Sequence, residues 1–370
     1  MDKIKKVLFV RANNTSPRVT KEATSLAKNY SVTVLLWNRK SNMSHTKYEN
    51  GYEVIEFGYN APYGRKVIFY WVVWWYAIFK YLLKNKFDVI HVCGLDSYPP
   101  VLLLRTFKKY HIVYDIFDFM ADSLPVGTPQ IIVNFVSYIE RKLTNQADGV
   151  IIVDDSRRNQ LNGIDISNLE VIMNCVDDHI GTYAYDVVSD NFFTVFYGGM
   201  LSFQYRGLDK IINVVKDMPD IKLIIAGNGE DEDKIKVLCM EYNNIEFLGQ
   251  ISNKKALELT YKSDVVFAFY NPAIPINRLA SPNKLFEAMM CGTPIIINSE
   301  TSIAKVVEEE NCGLIVPYDE ETALKEAIIN LNENAKLKEL MGRNGRKAFK
   351  EGYNWSVMEK RLLHLYQILN

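Results

Sequence analysis

The chain has 370 residues, of which 48% are hydrophobic and 24% charged, with a formal net charge of −1. This is the profile of a folded protein of two or three domains and excludes a largely disordered chain. Five scattered cysteines, with no Cys-x-x-Cys pair and no close histidine partner, argue for reduced, buried thiols in a cytosolic protein and against a disulfide framework or a zinc site.

The near-neutral total conceals a division. Residues 1–110 carry 18 Lys/Arg against 7 Asp/Glu, and the remainder carry 25 against 37. A basic first half faces something anionic, whether nucleic acid, a membrane surface or a phosphorylated substrate.

The chain opens on "MDKIKKVLFVRAN", whose apolar run is too short for the core of a signal peptide and reads as a first strand. Further strand candidates follow in "SVTVLLW", "YEVIEFG", "FDVIHVCG", "HIVYDIF", "DGVIIVD" and "LEVIMN". Most are continuous apolar runs, as strands covered on both faces must be. After a polar stretch near residues 176–191 the pattern restarts with "FTVFYGG", "IKLIIAG", "IEFLG", "SDVVFAF", "TPIIIN" and "CGLIVP". Helix-length segments separate the runs, which implies parallel sheets built from right-handed crossovers. The expectation is an α/β protein of two doubly wound domains facing across a cleft: residues 1–178, a linker at 179–191, then 192–348. Residues 349–370, with "YNWSVMEKRLLHLYQIL", form a helix packing back across the junction. Open parallel sheets bind ligands beyond the carboxyl ends of their strands, so the site draws on both domains.

Between the third and fourth strands lies "VIFYWVVWWYAIF", Val67 to Phe79, without a charge. As a helix, Val67 to Leu83 spans about 25 Å, short of the roughly 30 Å hydrocarbon layer. A single crossing would also place two strands of one sheet on opposite sides of a bilayer. A helix of an α/β domain needs one apolar face, and this one is apolar all round. Trp71, Trp74 and Trp75 are therefore expected on a surplus face flanked by Arg65, Lys66, Lys80, Lys84 and Lys86, an interfacial anchor for anionic lipid.

The most specific stretch is "LASPNKLFEAMMCGTPIIIN", Leu279 to Asn298. Pro282 in the first turn of a helix, with Ser281 or Asn283 near the cap, places backbone N–H groups and a positive dipole end beside Lys284. That combination binds a phosphate or diphosphate. Glu287, one turn beyond Lys284, points into the same region and can accept hydrogen bonds from sugar or ribose hydroxyls. Gly292 and Pro294 end the helix.

"SPNKLFEAMMCGTPII" closely resembles the signature of glycosyltransferase family four, enzymes with two Rossmann-like domains (the GT-B fold) that use nucleotide-activated sugars. "FYGGMLSFQYRGLDKIINVV", "IAGNGEDEDKI" and "IEFLGQIS" resemble segments of the family's second domain. "SPRVTKEATSLAKNYSVTVLLW", "FDVIHVCGLDSYPP" and "IVYDIFDFMADSL" resemble first-domain segments of members that build surface polysaccharides. The resemblance implies that Arg206 and Lys284 hold the diphosphate and Glu287 the ribose. It implies that Gly198-Gly199 lets backbone approach the phosphates, that Gly249, Gln250 and Ile251 flank the base, and that Asn228, Gly229 and the turn from Ser281 to Leu285 complete the donor site. A leaving diphosphate stabilised by fixed cations and amides needs no metal and no cofactor.

Three positions depart from the family pattern. Leu279 stands where the partner acid of Glu287 belongs, Phe117 where many members have a histidine, and "RANNTSPRVT" lacks the glycine pair of the first loop, offering Asn14, Ser16 and Arg18. Asp118, just past a strand's carboxyl end, becomes the candidate general base, with helix capping as its bland alternative. His91 and Asp96 are expected on the acceptor side, although His91 reads equally well as a core histidine.

The function these features imply is transfer from a UDP- or GDP-sugar to a lipid-linked or polysaccharide-precursor acceptor, by an enzyme peripherally attached to the cytoplasmic membrane face. Nucleic acid is not an expected partner, because the aromatic residues cluster on one apolar run. Alternatives are a nucleotide-sugar epimerase of the same fold and a non-catalytic, membrane-bound partner of another transferase.

Overall fold

The computed structural model describes residues 4–62, 64–164, 166–180 and 192–369; most of the expected linker at 179–191 lies outside them, as does the side chain of Arg65. The chain forms two compact units. One comprises residues up to Met173 together with those from Met358 onward, and the other comprises Asn174–Val357.

The first unit is built on an eight-stranded sheet: β1 (Lys6–Arg11), β2 (Ser31–Asn38), β3 (His45–Glu49), β4 (Tyr52–Gly58), β5 (Val89–Cys93), β6 (His111–Ile116), β7 (Gly149–Ile152) and β8 (Leu169–Val171), in the order β3-β4-β2-β1-β5-β6-β7-β8. All neighbours are parallel except β3, which runs antiparallel to β4. Strand β3, "HTKYE", is absent from the expected set for a physical reason. It is an outermost strand without a single buried residue, so it carries no apolar run.

The second unit holds β9 (Phe193–Met200), β10 (Ile221–Asn228), β11 (Ile245–Phe247), β12 (Val265–Ala268), β13 (Ile295–Asn298) and β14 (Gly313–Val316) in an all-parallel sheet, β11-β10-β9-β12-β13-β14. Both sheets reverse their winding once, beside β1 and beside β9, and these are the positions where doubly wound sheets take ligands. The final helix, Trp355–Ile368, begins in the second unit, and its residues from Met358 on belong to the first. There Leu365 fits over Gly149, where an added Cβ would lie 3.1 Å from the leucine.

Four helices of the first unit matter below: α1 (Pro17–Ala27), α2 (Trp71–Lys84), α3 (Tyr98–Arg105) and α4 (Gln130–Thr144). The segment Lys66–Lys84 is long and apolar enough to cross a membrane by length and composition. Yet it joins β4 to β5, which are both tied through β2 and β1 into one sheet. Its inward face is Trp74, Ile78 and Leu82, all buried at a spacing of four.

The expectation that all three tryptophans form a surplus face is corrected here. Trp74 stacks on Trp37, with centroids 5.9 Å apart, and donates its indole N–H to Ser97 Oγ at 3.1 Å. Trp75 donates to the Asp96 carbonyl at 2.7 Å, and Trp71 packs beside it, both half-buried against the core. Buried indoles need partners for their N–H groups, and the turn after β5 supplies them. The outer face belongs instead to Phe69 (82% exposed), Val72 (66%) and Tyr76 (64%). Lys66, Lys80 and Lys84 are exposed around it.

A second apolar face was not foreseen. On α4, Ile131, Ile132, Phe135 and Tyr138 are exposed, with Arg141 and Lys142 in the last turn. The helix's one acid, Glu140, is buried and accepts from Tyr114 Oη and the Met120 amide.

Candidate functional site

In the second unit, β9 ends in Gly198-Gly199 and leads through Leu201 to a short helix, Phe203–Arg206, that Ser202 caps and Gly207 terminates in the left-handed conformation. The helix Asn283–Cys291 points its N-terminus at the same region. Pro282 is the residue before that helix and not part of its first turn, and no side chain caps it. The expected capping by Ser281 or Asn283 is therefore corrected. The Ser281 hydroxyl is buried and has no protein hydrogen-bond partner among the described residues. Leu285 also needs correcting as a donor contact: its side chain lies in the core and its N–H donates to the Pro282 carbonyl.

Two cations meet here over aromatic rings. The Lys284 ammonium lies 4.6 Å from the centroid of Tyr197 and 5.9 Å from that of Tyr270. The Arg206 guanidinium lies 4.8 Å from the Tyr270 centroid and donates to the Tyr205 carbonyl at 3.1 Å and Asn277 Oδ1 at 3.0 Å. Ring quadrupoles hold the two like charges close together without neutralising them. Burial, reinforced by Arg206, pulls the Lys284 ammonium down to about 8, while Glu287 one turn away pushes back. Gly199 is required by this approach: its φ is +151°, and an added Cβ would sit 2.7 Å from the lysine nitrogen.

The remaining donor-side residues sit at neighbouring strand ends. Asn228 ends β10 and donates to Gln250 Oε1 at 3.4 Å. Gly227 donates to the Gly249 carbonyl at 2.8 Å, and Ile251 packs on the small cluster of Phe196, Ile224 and Ala226. Gly229 lies so near Leu201 that a Cβ would come within 2.1 Å of its carbonyl oxygen.

Sequence reasoning missed Tyr270, Asn277 and Asn298. Tyr270 follows β12 at the winding reversal, and Asn298, fully buried, clamps it by accepting from its N–H at 2.8 Å and donating to its C=O at 3.1 Å. The available signal was a tyrosine at the carboxyl end of the core strand "VVFAFY".

The first unit separates the expected acceptor residues. Arg18 and His91 are both corrected, being buried in the core. Arg18 donates to both Asp115 oxygens, at 3.0 and 2.8 Å, and to the Ile172 carbonyl at 2.6 Å, with Glu22 at 3.2 Å. His91 stacks on Phe9 and its Nδ1 is 2.9 Å from Tyr366 Oη of the final helix. Its Nε2 stands 3.6 Å from both Glu22 and Asp115.

Burial pushes Glu22 well above the usual carboxyl range and lowers His91. It would raise Asp115 too, but Arg18, with the His91 ring nearby, holds that carboxyl below its ordinary value. His91, Cys93 and Asp115 present ligand atoms within 4.8 Å of one another. Arg18 occupies both carboxylate oxygens, so a cation there would face a guanidinium. Asp115→Ala strands that guanidinium, and a loss of about 3–5 kcal/mol is expected in urea unfolding.

Other acceptor-side candidates remain near the surface. Asn14 is exposed, and Ser16 caps α1 through the Val19 amide. Asp118 lies in the loop after β6 with 41% of its side chain exposed, ion-paired to the wholly buried Arg157 at 2.7 Å. Asp122 joins the same arginine at 3.6 Å. Asp96 follows β5, and burial pushes its carboxyl up to about 6 against the Ser97 hydrogen bond. That places a second titratable carboxyl at a strand's carboxyl end, where a general base is wanted.

Residues 188–348 match the family described as glycosyl transferases group 1. The chain is 29% identical over 174 residues to an uncharacterized glycosyltransferase of Methanocaldococcus jannaschii, covering 45% of this chain and 43% of the relative. It is 28% identical over 160 residues to the phosphatidyl-myo-inositol mannosyltransferase of Mycobacterium leprae, covering 43% and 41%. These two matches thus span less than half of either relative, whereas the match to the Mycobacterium tuberculosis mannosyltransferase, at 25% identity, covers 78% of this chain and 75% of the relative. Among solved structures, sucrose-phosphate synthase from Thermosynechococcus elongatus superposes with a TM-score of 0.78 at 17% identity, covering 99% of both chains. Anabaena HepE in complex with UDP-glucose does so at 0.71 and 16%, covering 98% of this chain and 99% of that one. The family match thus lies in the second unit, and the chain as a whole carries the GT-B fold of two Rossmann-like units.

Proposed function

We propose that the chain transfers a sugar from a UDP- or GDP-sugar to a lipid-linked or polysaccharide-precursor acceptor at the cytoplasmic face of the membrane. The observation that carries the donor half is the convergence of Arg206 and Lys284 on the Tyr270 ring, beside a helix N-terminus that no side chain caps. Cations and amides fixed in advance stabilise the charge that grows on a departing diphosphate. On this reading Glu287, one turn on, takes the ribose hydroxyls. HepE in complex with UDP-glucose supports this choice of donor class. On the acceptor side, Asp96 and Asp118 are the carboxylates available to take a proton from an attacking hydroxyl. Burial raises the Asp118 carboxyl above its ordinary value, and Arg157 opposes that rise by stabilising the anion.

The membrane half rests on the outer faces of α2 and α4, apolar and rimmed by Lys66, Lys80, Lys84, Arg141 and Lys142. The mannosyltransferase relatives, named for phosphatidyl-myo-inositol, favour a lipid acceptor.

A thermal-shift panel of nucleoside diphosphates tests the donor. At a hundred times its dissociation constant the right nucleotide adds about 2.7 kcal/mol of stability, and no shift with either UDP or GDP rejects the reading. Equal transfer to water-soluble and lipid-linked acceptors, with no vesicle binding, rejects its membrane half.

A further inference from the structure

Arginines that bind anions are usually steadied by carboxylates, and here the acceptor is a neutral amide. Asn277 lies in the short helix Pro275–Arg278, is 3% exposed, and receives the Arg206 guanidinium on Oδ1 at 3.0 Å. Its orientation is fixed by chemistry. Nδ2 donates to the carbonyls of Tyr205 at 3.2 Å and Asn271 at 3.1 Å, so only the oxygen can face the arginine. Asn271 adds two more ties to the helix Phe203–Arg206, from its N–H to the Tyr205 carbonyl and from Nδ2 to that of Gln204. The loop after β12 is thereby laced to the segment that carries Arg206.

We propose that Asn277 is the positioning residue of the anion pocket, aiming Arg206 at the ligand while leaving its charge unspent; this rests on the donor reading above. A carboxylate in the same place would form a hydrogen-bonded ion pair with the guanidinium and compete with the diphosphate for it. A neutral acceptor fixes the geometry and keeps the pocket's two positive charges available. Tyr270 also meets the guanidinium, its ring centroid 4.8 Å away, and Asn298 holds that residue's backbone in place. Arg206 is thus constrained by two groups that cannot neutralise it.

The test is calorimetric titration of UDP and GDP into the wild-type chain and into Asn277→Ala, Arg206→Ala and the double variant. Asn277→Ala is expected to weaken binding of the preferred nucleotide about tenfold. In the Arg206→Ala background the same substitution is expected to change nothing further, since partners in one network are not additive. Asn277→Asp is expected to weaken binding as well. It should also move the alkaline loss of affinity to higher pH, because a new carboxylate beside Arg206 and Lys284 favours the charged lysine.

Equal losses from Asn277→Ala with and without Arg206 would reduce the residue to a loop tie and overturn the proposal. Should Asn277→Ala fail to fold, Asn277→Ser, which keeps a hydroxyl acceptor, replaces it in the same cycle. Failure of the wild-type chain to bind either nucleotide would overturn the donor reading itself, a result distinct from additivity.

Discussion

Lys284→Ala is expected to lower turnover of a UDP- or GDP-sugar by about 10²–10³-fold, the usual cost of removing one fixed stabiliser of a developing anion. The same change should leave the unliganded protein as stable as before or more so. The reason is that Lys284 is buried beside a second cation, a position that stabilises nothing until an anion arrives.

The sign of the pH dependence follows from the same placement. With the folded value near 8 and an unfolded one of about 10.4, the unfolded chain binds more protons between those values. Stability of the unliganded protein therefore rises across that window. Nucleotide affinity does the reverse: it is greatest below 8, where the ammonium is charged, and declines as pH rises past it. Binding an anion restores the lysine's proton affinity, so near pH 8 association takes up protons, readable as a dependence of calorimetric enthalpy on buffer ionisation. Tyr270 and Tyr197, raised by burial beyond the ordinary phenol range, stay neutral throughout. Affinity that stays flat from pH 7 to 9.5 would show that Lys284 does not meet the anion.

The sequence grouped the proposed donor-side residues because they are nearly contiguous. Ser281, Lys284 and Glu287 share one helix start, and the spacing of three puts Lys284 and Glu287 on one face. Tyr270 and Asn277 were not legible. Their proposed role arises only where the loop after β12 meets the helix carrying Arg206, some 70 residues earlier; the tyrosine ending "VVFAFY" was the one local sign, and nothing local marks Asn277. Arg18 misled for the opposite reason. It sits in a loop-to-helix stretch that resembles an acceptor loop, but its counter-ion Asp115 is 97 positions away in β6, and the pair turns the arginine inward. His91 is a mid-strand residue of β5, and a strand in the middle of a sheet covered on both faces has no solvent side to offer it.

The parallel strands announced themselves as β-branched runs, since burial on both faces leaves no room for polar alternation. An exposed outermost strand such as β3 is under no such constraint and reads as loop. The aromatic helix was located correctly but rotated wrongly. In a segment apolar on every side, periodicity contains no phase, and tryptophan content does not supply one. Phase came from partners instead: Trp37, Ser97 and the Asp96 carbonyl select Trp74 and Trp75 for the inside.

That rotation sets a contrast on one helix that decides what its outer face is for. Trp74→Ala removes a fully buried indole, its stacking on Trp37 and its hydrogen bond, and is expected to cost about 3–5 kcal/mol in urea unfolding, with no change in vesicle affinity for the molecules that remain folded. Combining Phe69→Ser, Val72→Ser and Tyr76→Ser touches only exposed side chains, so each should change stability by no more than about 0.5 kcal/mol. If the face docks on lipid, the triple variant should lose affinity for vesicles containing anionic lipid by well over tenfold, because burying even one such side chain is worth about 1.5–3 kcal/mol. Charge adds a separable contribution: Lys66, Lys80 and Lys84 near an anionic surface supply about 1 kcal/mol each, a part that fades with salt while the apolar part does not. Co-sedimentation at low and high ionic strength therefore resolves the two. An unchanged triple variant would mean that lipid is not what covers Phe69, Val72 and Tyr76, and would leave the lysines as a solvated rim around a surface meant for protein.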